Sequence, residues 1–245
     1  MTLNSPESLA ILHQVASSGS GGGGGETSLT PVQSASLVRE TGLKCVSFNG
    51  LPRTINCLTS FRDSLDEATA AGFPSGGMRV AGPVKEEDED EVRARGLALW
   101  ESVYAPLDGK LLAKLGRAHP DLSGYILCAH YGMLLSDPPP GPGRAEGETD
   151  AVPLGRCLTS VVAMACLRAQ TGAGPQLLSH VYGLRKAIEQ GAHLGEGGGR
   201  MAARERGAME RLAGDEGCEW VLRSVDRIAE VIGSGFGERP VKSKL

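Results

Sequence analysis

An all-α protein is what this sequence predicts, on three observations. Leu and Ala dominate the apolar residues, and both are strong helix formers. Aromatic residues make up only 4% of the chain, and strand-like alternation of Val, Ile, Thr and Tyr is scarce. Proline stands near the start and glycine just past the end of successive apolar-periodic segments, the asymmetry expected of helix ends.

The elements follow in order. Residues 9–15 are amphipathic and read as a short helix capped by Asn4 or Ser5. Thr30 is placed to cap a helix that begins with Pro31, runs to about Asn49 and stops at Gly50. Pro52 opens the next helix, in which Ile55, Leu58, Phe61, Arg62 and Leu65 recur at helical spacing. The short turn between them predicts an antiparallel hairpin. Further helices are expected over residues 91–104, with Leu97, Leu99, Trp100 and Val103 as the apolar set, and over 107–118 and 122–135, separated by His119-Pro120. Residues 154–169 and 175–190 read as a second hairpin, and 200–213 and 218–232 complete the set. Four stretches read as loops or disorder, because their composition cannot bury apolar surface. They are 19–26, with five consecutive glycines; 72–90, Gly/Pro-rich and then acidic; 136–153, with Pro138-Pro139-Pro140; and 195–200.

Composition narrows the function classes. The 245 residues suffice for a sizeable core. A net charge of -4, with basic residues scattered, leaves no electrostatic footprint for nucleic acid or an anionic membrane. No apolar run approaches the length of a membrane span. Residues 1–17 lack Lys and Arg and contain Glu7, so they resemble neither a secretory signal nor a transit peptide. The six cysteines, Cys45, Cys57, Cys128, Cys157, Cys166 and Cys218, form no C-x-x-C and no Cys/His cluster at zinc spacing. They read as small buried hydrophobes rather than a disulfide framework. No glycine-rich phosphate loop follows a strand, so no cofactor is implied.

The chain ends in Ser243-Lys244-Leu245, a tripeptide that works at a C-terminus as a peroxisomal address. It offers a free carboxylate, a cation and a terminal apolar side chain to a receptor groove. Residues 237–242 before it are polar and broken by Gly and Pro, so an extended, reachable tail over 237–245 is expected. The expected partner is the peroxisomal import receptor, and the expected location is the peroxisomal matrix.

Two segments carry a family resemblance. Arg39-Glu40-Thr41-Gly42-Leu43-Lys44-Cys45-Val46-Ser47-Phe48-Asn49-Gly50-Leu51-Pro52-Arg53-Thr54-Ile55-Asn56 resembles the carboxymuconolactone decarboxylase family and its AhpD-like relatives, which carry a Glu-bearing helix, a G-x-P-R turn and then Asn-Ala/Cys. Arg156-Cys157-Leu158, followed by Gln176-Leu177-Leu178-Ser179-His180-Val181-Tyr182-Gly183-Leu184-Arg185, is similar to the family's Arg-Glu-Leu helix and Gln-Leu-x-x-His-x-x-Gly-Ala-Leu. With the terminal address, the pattern resembles the fungal peroxisomal members. The matches cover about a third of the chain. In compact members the His hairpin precedes the G-x-P-R hairpin, and here it follows. The resemblance therefore implies an AhpD-like helical bundle of two joined, partly degenerate repeats. The implied organisation is a helix and Gly-rich segment over 1–30, then an all-α domain over 31–236 with lobes of about 1–71 and 91–236. Self-association into a homo-oligomer is expected, since helical pairs of this type commonly bury their remaining apolar faces that way.

The resemblance also names candidate site residues. His180 shares a stripe with Leu177, Leu184 and Ile188, so it points inward, and a histidine there can shuttle a proton in decarboxylation or enolisation. It can equally be a satisfied core histidine. Glu40 is the family's cleft-lining acid by position, although its i, i+4 spacing to Lys44 also reads as a solvated ion pair. Arg53 and Asn56 either hold a substrate carboxylate or pin the hairpin. His119 and His130 read as structural. The departures weigh against activity: Ala173 and Gln176 stand where the peroxide-reducing branch has its C-x-x-C, and Cys157 replaces the Arg-Glu-Leu acid. A Cys45–Cys57 redox pair is a remote substitute, because tightly packed hairpins seldom bring Cα atoms close enough. Three readings stay open: a cofactor-free decarboxylase or isomerase acting on a small carboxylated or lactone-like substrate, a catalytically silent binding or scaffold protein, and, weakest, a thiol-dependent peroxide reductase.

Overall fold

The computed structural model describes residues 1–18, 29–73, 89–136, 154–170, 172–199 and 202–233. The terminal Ser243-Lys244-Leu245, the five-glycine run and the proline triplet lie outside the described residues. Among those described, every regular element is helical. In order they are α1 (Pro6–Ser17), α2 (Pro31–Asn49), α3 (Leu51–Asp63), α4 (Glu67–Ala71), α5 (Glu89–Tyr104), α6 (Asp108–Ala118), α7 (Leu122–Tyr125), a π-helical segment (Ile126–Leu135), α8 (Arg156–Arg168), α9 (Gly174–Glu189), a 3₁₀ segment (Ala192–Gly199), α10 (Ala203–Ala213) and α11 (Asp215–Gly233).

Local chemistry sets the helix ends. Thr30 Oγ1 accepts from the Gln33 N–H at 3.2 Å while Gln33 Oε1 accepts from the Thr30 N–H at 3.0 Å, a reciprocal cap with Pro31 at the first helical position. Gly50, at φ 78°, separates α2 from α3 in a conformation that a side chain would strain. The hairpin expected there is present, and α2 packs on α3. The buried face of α3 is Thr54, Cys57 and Phe61. Ile55, expected inside, is exposed, because α1 and α2 meet the helix one position away from the predicted stripe.

Besides α4, not expected as a separate helix, two elements differ from expectation. Residues 122–135 begin as one α-helical turn and widen into the π segment, whose last turn is closed by the Ser136 N–H on Tyr131 O at 3.0 Å. Residues 195–199 belong to a 3₁₀ segment rather than a loop, held by the burial of His193 and Glu196 against the rest of the fold.

Three apolar clusters make the core. Ala35, Val38 and Phe61 form one under α1 to α3; Trp100, Leu127, Tyr131 and Leu135 join α5 to the π segment; Cys157, Met164, Leu184, Ala187, Met209, Ala213, Cys218 and Val221 unite α8 to α11. The middle pair is unusually close. A Cβ on Gly96 would lie 2.1 Å from Leu127 O, and one on Gly132 would lie 2.4 Å from Val92 O, so only glycine permits this approach. Helix α2 ties the parts together, since it contacts α1, α3 and α4 and also α8 and the π segment.

Candidate functional site

Three helices converge on His180. The residue lies midway along α9, with Leu184 buried one turn on and Leu177 and Ile188 packed around the same core, so the inward stripe read from the sequence is present. Phe48 comes from the last turn of α2, its ring 5.9 Å from the His180 ring and edge-on at 85°. Tyr104 ends α5, its ring 6.2 Å away at 72°. Behind them, Trp100 stacks on Tyr104 at 4.1 Å, and the Tyr104 and Tyr131 hydroxyls share a 2.8 Å hydrogen bond. The chain has two Trp, four Tyr and four Phe. Four of those ten gather here, so the scarcity of aromatic residues conceals their concentration.

Cations fix the end of α5 that presents Tyr104. Arg156 on α8 donates to Ser102 O and, at 2.6 Å, to Gln190 Oε1. Lys186 on α9 donates to Val103 O at 3.2 Å and to Ala105 O at 2.5 Å. Positive charge against the unpaired carbonyls of a helix C-terminus is favourable. Gly183 lets α9 reach α5, since a Cβ there would sit 3.0 Å from Val103 Cγ1.

Electrostatically this cluster is neutral. His180 is 4% exposed, and its Nδ1 is buried without a hydrogen-bond partner. Burial alone pulls its pKa down to about 4, so the ring is uncharged at neutral pH. Burial also pushes both Tyr104 and Tyr131 above the ordinary phenol value. Among the described residues, no carboxylate is hydrogen-bonded to the His180 ring.

The other expected site residues lie elsewhere. Glu40 is buried on α2, eight residues and about 12 Å of helix rise from Phe48. The Lys44 one turn after it is not solvated: it is 0% exposed, and its Nζ donates to Leu135 O at 2.7 Å, Leu154 O at 2.5 Å and Thr159 Oγ1 at 2.8 Å. Arg53 and Asn56 are exposed on α3 and bind the N-terminal segment, Arg53 Nη1 donating to Thr2 O at 2.9 Å and Asn56 Nδ2 to Asn4 Oδ1 at 3.5 Å. Neither is hydrogen-bonded to His180. His130 shares a hydrogen bond with Ser47 Oγ at 3.1 Å, and His119 is exposed beside Asp121.

Sequence reasoning missed a carboxylate. Glu196, from the 3₁₀ segment, reaches the backbone of Cys157. Its Oε1 accepts the Cys157 N–H at 2.6 Å, at the N-terminus of α8 where negative charge is favoured. Gly155 makes the room, for a Cβ there would lie 2.6 Å from the carboxylate. Burial, and then this carboxylate, push the Cys157 thiol up to about 12. The flanking glycines pointed to a loop and hid Glu196. No group of three His, Cys, Asp or Glu able to hold a metal ion occurs among the described residues, and no helix among them is long and apolar enough to cross a membrane.

Comparison with known proteins adds one relative. The chain is similar to Peroxisomal protein 2 of Saccharomyces cerevisiae (strain ATCC 204508 / S288c). The two are 27% identical over an alignment of 161 positions that covers 59% of this chain and 52% of that protein. The chain thus spans about half the length of the curated relative it matches. No family model matches the sequence, and no solved structure matches it.

Proposed function

We propose that this chain is a peroxisomal protein of the carboxymuconolactone decarboxylase-like build, imported through Ser243-Lys244-Leu245, that binds a small ligand at His180 without turning it over. The observation that carries the silent reading is the state of His180: buried, neutral, edge-on to two aromatic rings, with no carboxylate among the described residues hydrogen-bonded to its ring. A base whose pKa lies near 4 is a poor proton shuttle at neutral pH. A neutral imidazole remains a good hydrogen-bonding group, and the buried, unpartnered Nδ1 has unused capacity that a carbonyl-bearing or lactone-like ligand would satisfy once the rings around it give way. The similarity to a yeast protein named as peroxisomal supports the location.

The test compares the wild type with His180→Gln on carboxymuconolactone, following release of carbon dioxide. No difference is expected; release by the wild type that the variant loses would overturn the silent reading. The same unpartnered nitrogen supports one alternative, a cofactor-free decarboxylase or isomerase in which His180 acts on substrate, and that result would favour it; a part for Glu40 would need the same loss in Glu40→Gln. For import, a fluorescent domain fused ahead of Met1 should be punctate with Leu245 and diffuse without it. Self-association is part of the proposal, supported by Ile11, Leu12 and Val15, which lie about half or more exposed on α1. A monomer mass by light scattering would refute it.

A further inference from the structure

Beyond the His180 cluster, the sulfur atoms of Cys45 and Cys166 lie 3.6 Å apart, joining α2 to α8. Both residues are buried, at 3% and 5% exposure. Buried cysteines usually act as small hydrophobes with apolar surroundings, and these do not. Asn49 Nδ2 donates to Cys166 Sγ at 3.7 Å, and Gln170 Nε2 orients that amide by donating to Asn49 Oδ1 at 3.2 Å and to Phe48 O at 2.8 Å. The Thr2 hydroxyl also reaches Cys166, on the segment that Arg53 and Asn56 hold down. None of the other four cysteines has a sulfur neighbour within hydrogen-bonding range among the described residues: Cys57 faces Asn4, Cys157 faces Glu196, and Cys218 donates to the Leu212 and Ala213 carbonyls.

We propose that Cys45 and Cys166 form an oxidisable dithiol site whose disulfide cross-links α2 to α8. The expected Cys45–Cys57 alternative is replaced, since the sulfur beside Cys45 belongs to α8. A disulfide needs the sulfurs at about 2.05 Å, a closure that small side-chain rotations on two packed helices can supply. The oxidant is a hydroperoxide. The Cys166 thiolate attacks its distal oxygen, the O–O bond breaks, and the alcohol or water leaves with a proton, giving a sulfenic acid. Cys45 Sγ then displaces hydroxide from that sulfur, and its own proton completes a water molecule. Two thiols lose two electrons and two protons, and the peroxide bond takes them. The asymmetry between the two sulfurs is geometric: the Asn49 amide donates to Cys166 Sγ and not to Cys45. The neighbouring Cys45, with the Thr2 and Asn49 groups, holds the Cys166 thiol below its ordinary value, whereas the neighbouring Cys166 and burial hold Cys45 above its own. Cys166 is therefore the attacking sulfur.

Full-length protein treated with hydrogen peroxide, then denatured and alkylated, tests this. Alkylatable thiols should fall from six to four, mass mapping should find one peptide pair joined through Cys45 and Cys166, and dithiothreitol should reverse both. In Cys45→Ser the Cys166 sulfenic acid should persist and be trapped by dimedone; in Cys166→Ser, Cys45 should stay reduced. Six thiols still alkylatable, a cross-link between other cysteines, or dimedone capture at Cys45 rather than Cys166 would each overturn the proposal. The readout is independent of any ligand at His180.

Discussion

Lys44 and His180 are both bases taken out of water, and the fold treats them in opposite ways. Lys44 is fully buried, and its ammonium meets two carbonyls and a hydroxyl, matching its three donors. His180 is nearly as deep but is surrounded by rings, leaves Nδ1 unpartnered and gives up its charge. Burial is tolerated either by rebuilding the solvation shell from protein oxygens or by losing the proton. The first outcome makes a structural joint. The second leaves an uncharged polar group with unused capacity, which is what a binding site needs.

Substitution at each base sharpens that contrast. Lys44→Met should cause the largest loss, about 4 kcal/mol by denaturant titration, because it removes three buried charge-assisted hydrogen bonds, to Leu135 O, Leu154 O and Thr159 Oγ1, leaving only the Thr159 hydroxyl on Leu154 O; an unchanged midpoint would mean that the ammonium's bonds contribute nothing net. For His180 the effect is one of pH. Its folded pKa of about 4 lies below the ordinary 6.5, so the unfolded chain binds the extra proton. Its contribution is then fully favourable above pH 6.5 and is lost as pH falls towards 4, by about 3 kcal/mol. His180→Gln should flatten that part of the stability–pH curve, and an equally steep curve in the variant would break the comparison. Tyr131→Phe removes the shared Tyr104 hydroxyl bond and should destabilise by about 1 kcal/mol in a thermal melt. Arg53→Ala, at an exposed anchor, should shift stability by no more than about 0.5 kcal/mol and leave ligand affinity at His180 unchanged. Lost affinity would instead place Arg53 against the ligand.

Helix ends were the most legible part of the sequence, because they depend on neighbours in the chain: the Thr30 cap, Pro31, Gly50 and the His119-Pro120 break all act locally. The π widening after Tyr125 was not legible, since it accompanies the glycine-only approach of α5. His180 could be placed inside by its stripe, but not what it would meet, as Phe48 and Tyr104 come from two other helices. Long-range pairing also hid Cys166 behind Cys45 and Glu196 behind Cys157. For Arg53 and Asn56 the sequence left a substrate carboxylate and a structural use both open, and in the fold they hydrogen-bond Thr2 and Asn4.

Lys44 has a consequence for how two elements are seated. Its single nitrogen holds the Leu135 and Leu154 carbonyls together, and these residues flank positions 136–153. The two ends of that stretch are therefore fixed by α2, whatever runs between them. The π segment and α8 thus share one cationic rivet, and losing its nitrogen would loosen the seats of both on α2 at once.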